Sequence, residues 1–188
     1  TSLSFEGGLS SGSADFAKPY NLTVYYLGSD TGAFVSGANI SIDVSDASAL
    51  TISELGLSDS YVLTITGRKL GTFSLSVIAE KSDHRVAVKQ FLFEVLEIET
   101  YVDGLGPLTA LLVGRSYCFN FSYRHESNGS YITDANTSAS GAGANWVSFE
   151  QLPSGLYSVH LTPAEIGDYS VLLQFEKAGF SSATSRLS

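Results

Sequence analysis

Methionine is absent from the 188 residues, which also hold a single cysteine, a single tryptophan and only 4 prolines. One cysteine excludes an intrachain disulfide. Cys118 has no Cys-x-x-Cys partner and no basic cluster beside it, so it reads as an inert strand residue or the half of an intermolecular bridge. Lys and Arg total 10 against 19 Asp and Glu, a net charge of −9. With no basic block anywhere, nucleic acid is excluded as a partner. The longest aliphatic run is residues 110–113, far short of the roughly 20 residues a spanning helix needs, so no membrane span lies within this chain. The chain starts at Thr1 with no leader pattern, which suggests a processed piece of a longer product with its anchor elsewhere.

What is abundant points to strands. Ser and Thr account for 43 residues, and Val, Tyr, Phe and Gly are frequent. Residues of this kind favour β-strands and turns over helices. At 44% hydrophobic, the chain carries enough apolar material for a packed core.

The sequence repeats. Shifted by 97 positions, Tyr20, Asn21, Leu22, Thr23, Val24, Tyr25 and Tyr26 fall on Tyr117, Cys118, Phe119, Asn120, Phe121, Ser122 and Tyr123. Shifted by 96, Tyr61 falls on Tyr157, Gly71 on Gly167, Phe73 on Tyr169, and Glu80-Lys81 on Glu176-Lys177. Two copies of one unit follow, residues 1–95 and 96–188. Within each copy apolar residues alternate with polar ones, the signature of strands with one buried face. Leu22, Val24 and Tyr26, and then Phe119, Phe121 and Tyr123, are assigned to the core. Further strands are expected at 40–44, 50–52, 61–66, 73–79 and 86–95, then at 136–138, 146–149, 157–161, 169–175 and 182–187. Single helical turns are possible at 53–57 and 163–166. A turn is expected from Asp103 to Gly106. About seven short strands per copy predict a Greek-key sandwich.

The junction has its own pattern. Phe91, Phe93 and Val95 share one parity, whereas Leu96 and Ile98 take the other. A change of parity marks a chain that leaves one core and enters the next. No Gly, Pro or Ser lies between Phe91 and Ile98, so a short, extended connection and a rod-like pair are expected.

The most specific chemical pattern is the placing of asparagine. Five of the six Asn sit in Asn-x-Ser/Thr: Asn21, Asn39, Asn120, Asn128 and Asn136. Only Asn145 does not. Glycosylation needs that hydroxyl at +2 and an accessible side chain outside the membrane. The alternative is that a Ser/Thr-rich strand protein with turn asparagines makes such triplets by composition. Strand alternation places Asn21 and Asn120 on outward faces, where a glycan fits. Ser127-Asn128-Gly129 has turn chemistry, so Asn128 should be the most accessible of the five. Asn39 and Asn136 coincide under the repeat and should share one environment.

The motifs Gly129-x-Tyr131-Ile132-x-x-Ala135-Asn136, Leu152-Pro153-Ser154-Gly155-Leu156-Tyr157, Ile166-Gly167-Asp168-Tyr169-Ser170-Val171 and Phe175-Glu176-Lys177-Ala178-Gly179-Phe180 resemble prokaryotic immunoglobulin-like repeats. In particular they are similar to the tandem modules of archaeal cell-surface proteins. The first copy departs at the last motif, where Ser82, Asp83 and His84 stand. The resemblance implies two tandem immunoglobulin-like sandwiches in an extracellular array with a spacer, adhesive or envelope role. It carries no catalytic residue, and from the residues themselves neither a cofactor nor a metal is expected.

Other chemistry is sparse. His84, His125 and His160 have no partner at metal-ligand spacing. Asp30, Asp43, Asp46 and Glu54 are either solvated surface or a weak calcium set, without the clustered carboxylates calcium prefers. Trp146 and Phe149, with the tyrosines, form either core or a platform for a sugar. Three roles stay open: an adhesive structural pair partnered by protein or glycan at the cell surface, a carbohydrate- or protein-binding module, and a self-associating filament subunit. In the last, the final strand, about three residues short of its counterpart, is completed by a donor; truncation explains the same shortness.

Overall fold

The computed structural model describes residues 1–104 and 110–188. The expected turn at Asp103–Gly106 runs into residues 105–109 and so lies in part outside the described residues. The chain divides into two compact units, Thr1–Glu97 and Ile98–Ser188.

The first unit has eight strands: β1 (Ser2–Phe5), β2 (Ser11–Asp15), β3 (Pro19–Leu27), β4 (Asn39–Val44), β5 (Leu50–Gly56), β6 (Tyr61–Gly67), β7 (Gly71–Glu80) and β8 (Ala87–Leu96). They form two sheets, β1-β3-β6-β5 and β2-β8-β7-β4. All pairs are antiparallel except β2 with β8, which is parallel. In immunoglobulin terms the first sheet is A-B-E-D and the second is C-F-G extended by a split A strand. The fold follows from strand order alone. The sheets bury a common core of alternating residues, among them Phe5, Leu22, Val24, Tyr26, Leu63, Ile65, Leu75, Phe91 and Phe93.

Among the described residues the second unit repeats this plan with seven strands: β9 (Thr100–Asp103), β10 (Tyr117–His125), β11 (Asn136–Gly141), β12 (Val147–Gln151), β13 (Tyr157–Leu161), β14 (Val171–Glu176) and β15 (Ala183–Leu187). Its sheets are β12-β13-β10-β9 and β11-β14-β15. Phe121, Tyr123, Tyr157, Val159, Leu173 and Phe175 form the core, with the Phe121 and Phe175 rings 4.8 Å apart. Among the described residues no strand of this unit corresponds to β2. Val95 is buried in the first core, and Ile98, buried and bridged to Phe180 of the second unit, follows after two intervening residues, so the parity changes there while Leu96 stays exposed.

Several expectations are corrected. Residues 53–57 are not a helical turn; Leu50–Gly56 is an edge strand held by backbone pairing to β6. Residues 163–166 form no helical turn either. Among the described residues, single 3-10 turns lie at Glu6–Gly8 and Ala144–Trp146, so Trp146 sits in a turn rather than in a strand. Gly143 enters the second of these at φ +91, a conformation that costs glycine little. Phe119 is only half-buried, although Phe121 and Tyr123 are core. It pairs with Val159 and lies outside the cluster that holds Phe121 and Tyr123.

The duplication extends to polar clamps. The Tyr61 hydroxyl donates to the Val35 carbonyl at 3.0 Å and accepts from the Ala38 N–H at 2.8 Å. The Tyr157 hydroxyl donates to the Ile132 carbonyl at 3.0 Å and accepts from the Ala135 N–H at 2.9 Å. Lys81 Nζ donates to the Ser36 carbonyl at 2.6 Å, and Lys177 Nζ to the Thr133 carbonyl at 2.7 Å. Each clamp fixes the connection that leads into the C strand. Burial pushes the Tyr157 hydroxyl pKa up, so the donor stays protonated beyond the ordinary tyrosine range.

Candidate functional site

All five sequon asparagines are exposed. Asn21 and Asn120 stand on the outer face of inner strands β3 and β10. In a strand, residues i and i+2 share a face, so an outward Asn brings its +2 hydroxyl to the same side. Asn21 Oδ1 accepts from Thr64 Oγ1 at 2.9 Å. At Asn120 the neighbouring hydroxyl is covered: Ser122 is buried and Arg124 Nε donates to its Oγ at 2.7 Å. Asn39 and Asn136 open β4 and β11, the edge strands of their sheets, and pair with Glu80 and Glu176. They occupy one environment twice. Asn128 lies in the turn after β10, where its Oδ1 accepts from the Ser130 N–H at 2.9 Å.

Trp146 and Phe149 are not brought together. Phe149 packs inward, edge-on to Phe175 at 6.2 Å. Trp146 is half-buried and meets Tyr169 edge-on at 4.5 Å. This Trp–Tyr pair lines a cavity of about 420 Å³ in the second unit, with Leu111, Val113, Pro163 and Leu187 among its walls. The repeat carries this information, since Trp146 falls on Leu50 and Tyr169 on Phe73, both buried in the first unit.

The remaining polar residues are scattered. Cys118 is exposed on the outer face, its Sγ 2.8 Å from Ser158 Oγ. His84 is exposed near the Ser82 carbonyl, His125 is buried against Ser127, and His160 lies 3.4 Å from Glu150. Asp46 is held by Lys69 Nζ at 2.9 Å and by the hydroxyl and N–H of Ser48. The Ser48 hydroxyl, more than Lys69, holds its carboxyl pKa down to about 2. A lysine thus fills the place a cation would take beside Asp46. Among the described residues no group of three His, Cys, Asp or Glu could hold a metal. No helix there is long and apolar enough to cross a membrane.

No family model matches the chain, and no curated protein matches it. Solved structures do. The chain is similar to the Yersinia pseudotuberculosis adhesin InvE at 14% identity and a TM-score of 0.42, covering 98% of this chain and 57% of that one. It is similar to titin domains z1z2 in complex with telethonin at 15% identity and a TM-score of 0.43, covering 98% and 94%. With domains 5-6 of the S-layer protein SbsC the identity is 10% and the TM-score 0.39, covering 98% and 95%.

Proposed function

We propose that the chain is a non-enzymatic, glycosylated pair of structural modules displayed at the cell surface, residues 1–95 forming one sandwich and 96–188 the other. The observation that carries this reading is the exposure of all five sequon asparagines. Exposure meets the accessibility that glycosylation requires, at outward strand positions and at a turn. Glycans at Asn39 and Asn136 would stand on edge strands, where unpaired backbone otherwise invites another chain. At Asn21 and Asn120 they would cover sheet faces. Partners, protein or glycan, would then dock at uncovered edges, at ends, or on the sugars. The archaeal-type envelope assignment rests on the motif resemblance in the second copy.

Glycopeptide mapping of protein from its own source tests this. Two or more of the five sites should carry glycan, with Asn145 unmodified as the internal control. Five bare asparagines would overturn the reading.

A second reading, a binding module, is favoured by the cavity beside Trp146 and Tyr169. Both residues hold the polar-tipped aromatic rings that interfaces favour.

A further inference from the structure

The sequons share one triplet but differ at the +2 hydroxyl. Ser41, Ser130 and Ser138, which follow Asn39, Asn128 and Asn136, are exposed, and Thr23 after Asn21 is half-buried. Ser122, which follows Asn120, is only 3% exposed although Asn120 itself is open. Strand pairing alone is not the cause. Asn39 and Asn136 are paired with Glu80 and Glu176, and their hydroxyls at +2 remain outside.

The difference at Asn120 comes with Arg124. Residues 120, 122 and 124 share the outward face of β10. The guanidinium of Arg124 is fixed at three points. Nε donates to Ser122 Oγ at 2.7 Å, Nη1 to the Gly129 carbonyl at 3.2 Å, and Nη2 to the Tyr131 hydroxyl at 3.2 Å. Its central carbon also lies 4.4 Å from the centre of the Tyr131 ring, a cation–π contact. A planar fork reaches all three oxygens at once, whereas an ammonium is a single point charge. Gly129 is the middle residue of the Asn128 sequon. One side chain therefore caps the hydroxyl of one sequon and braces the backbone of the next. At the second it bonds only the carbonyl, and Ser130 stays exposed.

Attachment joins Asn Nδ2 to the anomeric carbon of a glycan carried on a lipid phosphate. The N–C bond forms as the C–O bond to the phosphate breaks. The phosphate leaves with the electron pair, and the amide gives up one proton. The +2 hydroxyl must be recognised while the amide reacts, so both must face the transferase together. A hydroxyl shut from solvent and bonded to a guanidinium meets that demand only by giving up its partner. We propose that Arg124 sets the order in which the sequons of the second unit are used. On the folded chain Asn128 and Asn136 accept glycan, and Asn120 accepts it only before Arg124 closes over Ser122. This rests on the glycosylated-module reading. A glycan at Asn120 in protein from its own source then dates its attachment to the unfolded chain.

The test combines the unmodified 188-residue chain with a single-subunit oligosaccharyltransferase and a lipid-pyrophosphate-linked oligosaccharide. Glycopeptide mapping follows each site with time. Each rate is divided by that of an unfolded peptide holding the same sequon, residues 117–125, 125–133 or 133–141, which removes any preference for local sequence. The corrected rates at Asn128 and Asn136 should exceed that at Asn120 at least about tenfold, the factor expected of one hydrogen bond to a charged group that must be given up. Arg124→Ala should close most of that gap by raising Asn120, with Asn136 unchanged. Arg124→Lys, which keeps the charge without the fork, should act in the same direction and carries the test should Arg124→Ala fail to fold. Emission of Trp146, the only Trp, reports folding of this unit. Equal corrected rates at Asn120 and Asn128, or a folded Arg124 variant in which Asn120 stays slow, would overturn the inference. Bare asparagines in protein from its own source would overturn the glycosylated-module reading and leave these rates as they are, so the two failures are distinguishable.

Discussion

Phe121→Ala is expected to remove about 3–5 kcal/mol from the stability of the second unit. Phe121 is 1% exposed and lies at the centre of an aromatic cluster. Its ring is 4.8 Å from Phe175 and 5.6 Å from Tyr157. Truncation removes the transfer free energy of the ring and leaves a cavity between two sheets. Neither sheet can collapse freely, because β10 is pinned on both sides by β9 and β13. The upper part of the range is therefore the better expectation. Urea unfolding followed by the emission of Trp146 reads this unit directly, since the only Trp lies within it. A loss below about 1 kcal/mol would place Phe121 on the wrong face of its strand.

The second large effect should appear twice. Tyr61→Phe and Tyr157→Phe each delete one hydroxyl that serves as both donor and acceptor. The ring stays, so packing changes little. What remains is a carbonyl and an N–H that have lost their partner next to a core, Val35 and Ala38 in one unit, Ile132 and Ala135 in the other. Leaving such groups unpaired costs about 1–3 kcal/mol each where water cannot reach them. We expect about 2 kcal/mol per variant, because the N–H groups are only partly buried. The two losses should agree within about 0.5 kcal/mol and should add in the double variant, since the two hydroxyls share no partner. Hydrogen exchange of each unit's core amides measures them separately. A loss at Tyr157 with none at Tyr61 would show that the repeat does not preserve function at this position. The raised Tyr157 pKa carries a matching pH dependence. Its folded value lies above the ordinary value of about 10. The contribution is thus fully present below about pH 10 and is lost as the pH rises through the folded value.

How much of this could be read from the sequence depends on how each element is held. Strands β3, β6, β7, β8, β10, β13 and β14 bury one face, and their alternation announced them. Strand β5 buries little beyond Leu50, with Ser53 to Gly56 all exposed, so its sequence carries no alternation, and only pairing with β6 makes it a strand. The short strands β1, β2 and β9 likewise contribute few apolar residues, and their formation depends on partners far away in the chain. Trp146 was drawn into a strand by its neighbours Val147 and Phe149. The left-handed Gly143 instead turns the chain just before it. The tyrosine and lysine clamps had a sequence trace, since Tyr61 and Lys81 coincide with Tyr157 and Lys177 under one shift. Their acceptors are backbone carbonyls, which no residue pattern marks.

The cavity beside Trp146 and Tyr169 was the least readable feature, since its walls come from segments far apart in the chain.

Display outside the cell is the central claim, and labelling of intact source cells with a membrane-impermeant amine reagent tests it most directly. Lys18 and Lys69 have side chains 53% and 54% exposed and should take up label without lysis. The account predicts modification of both in unbroken cells, at a level that lysis raises little. Label that reaches them only after the cells are opened would contradict it.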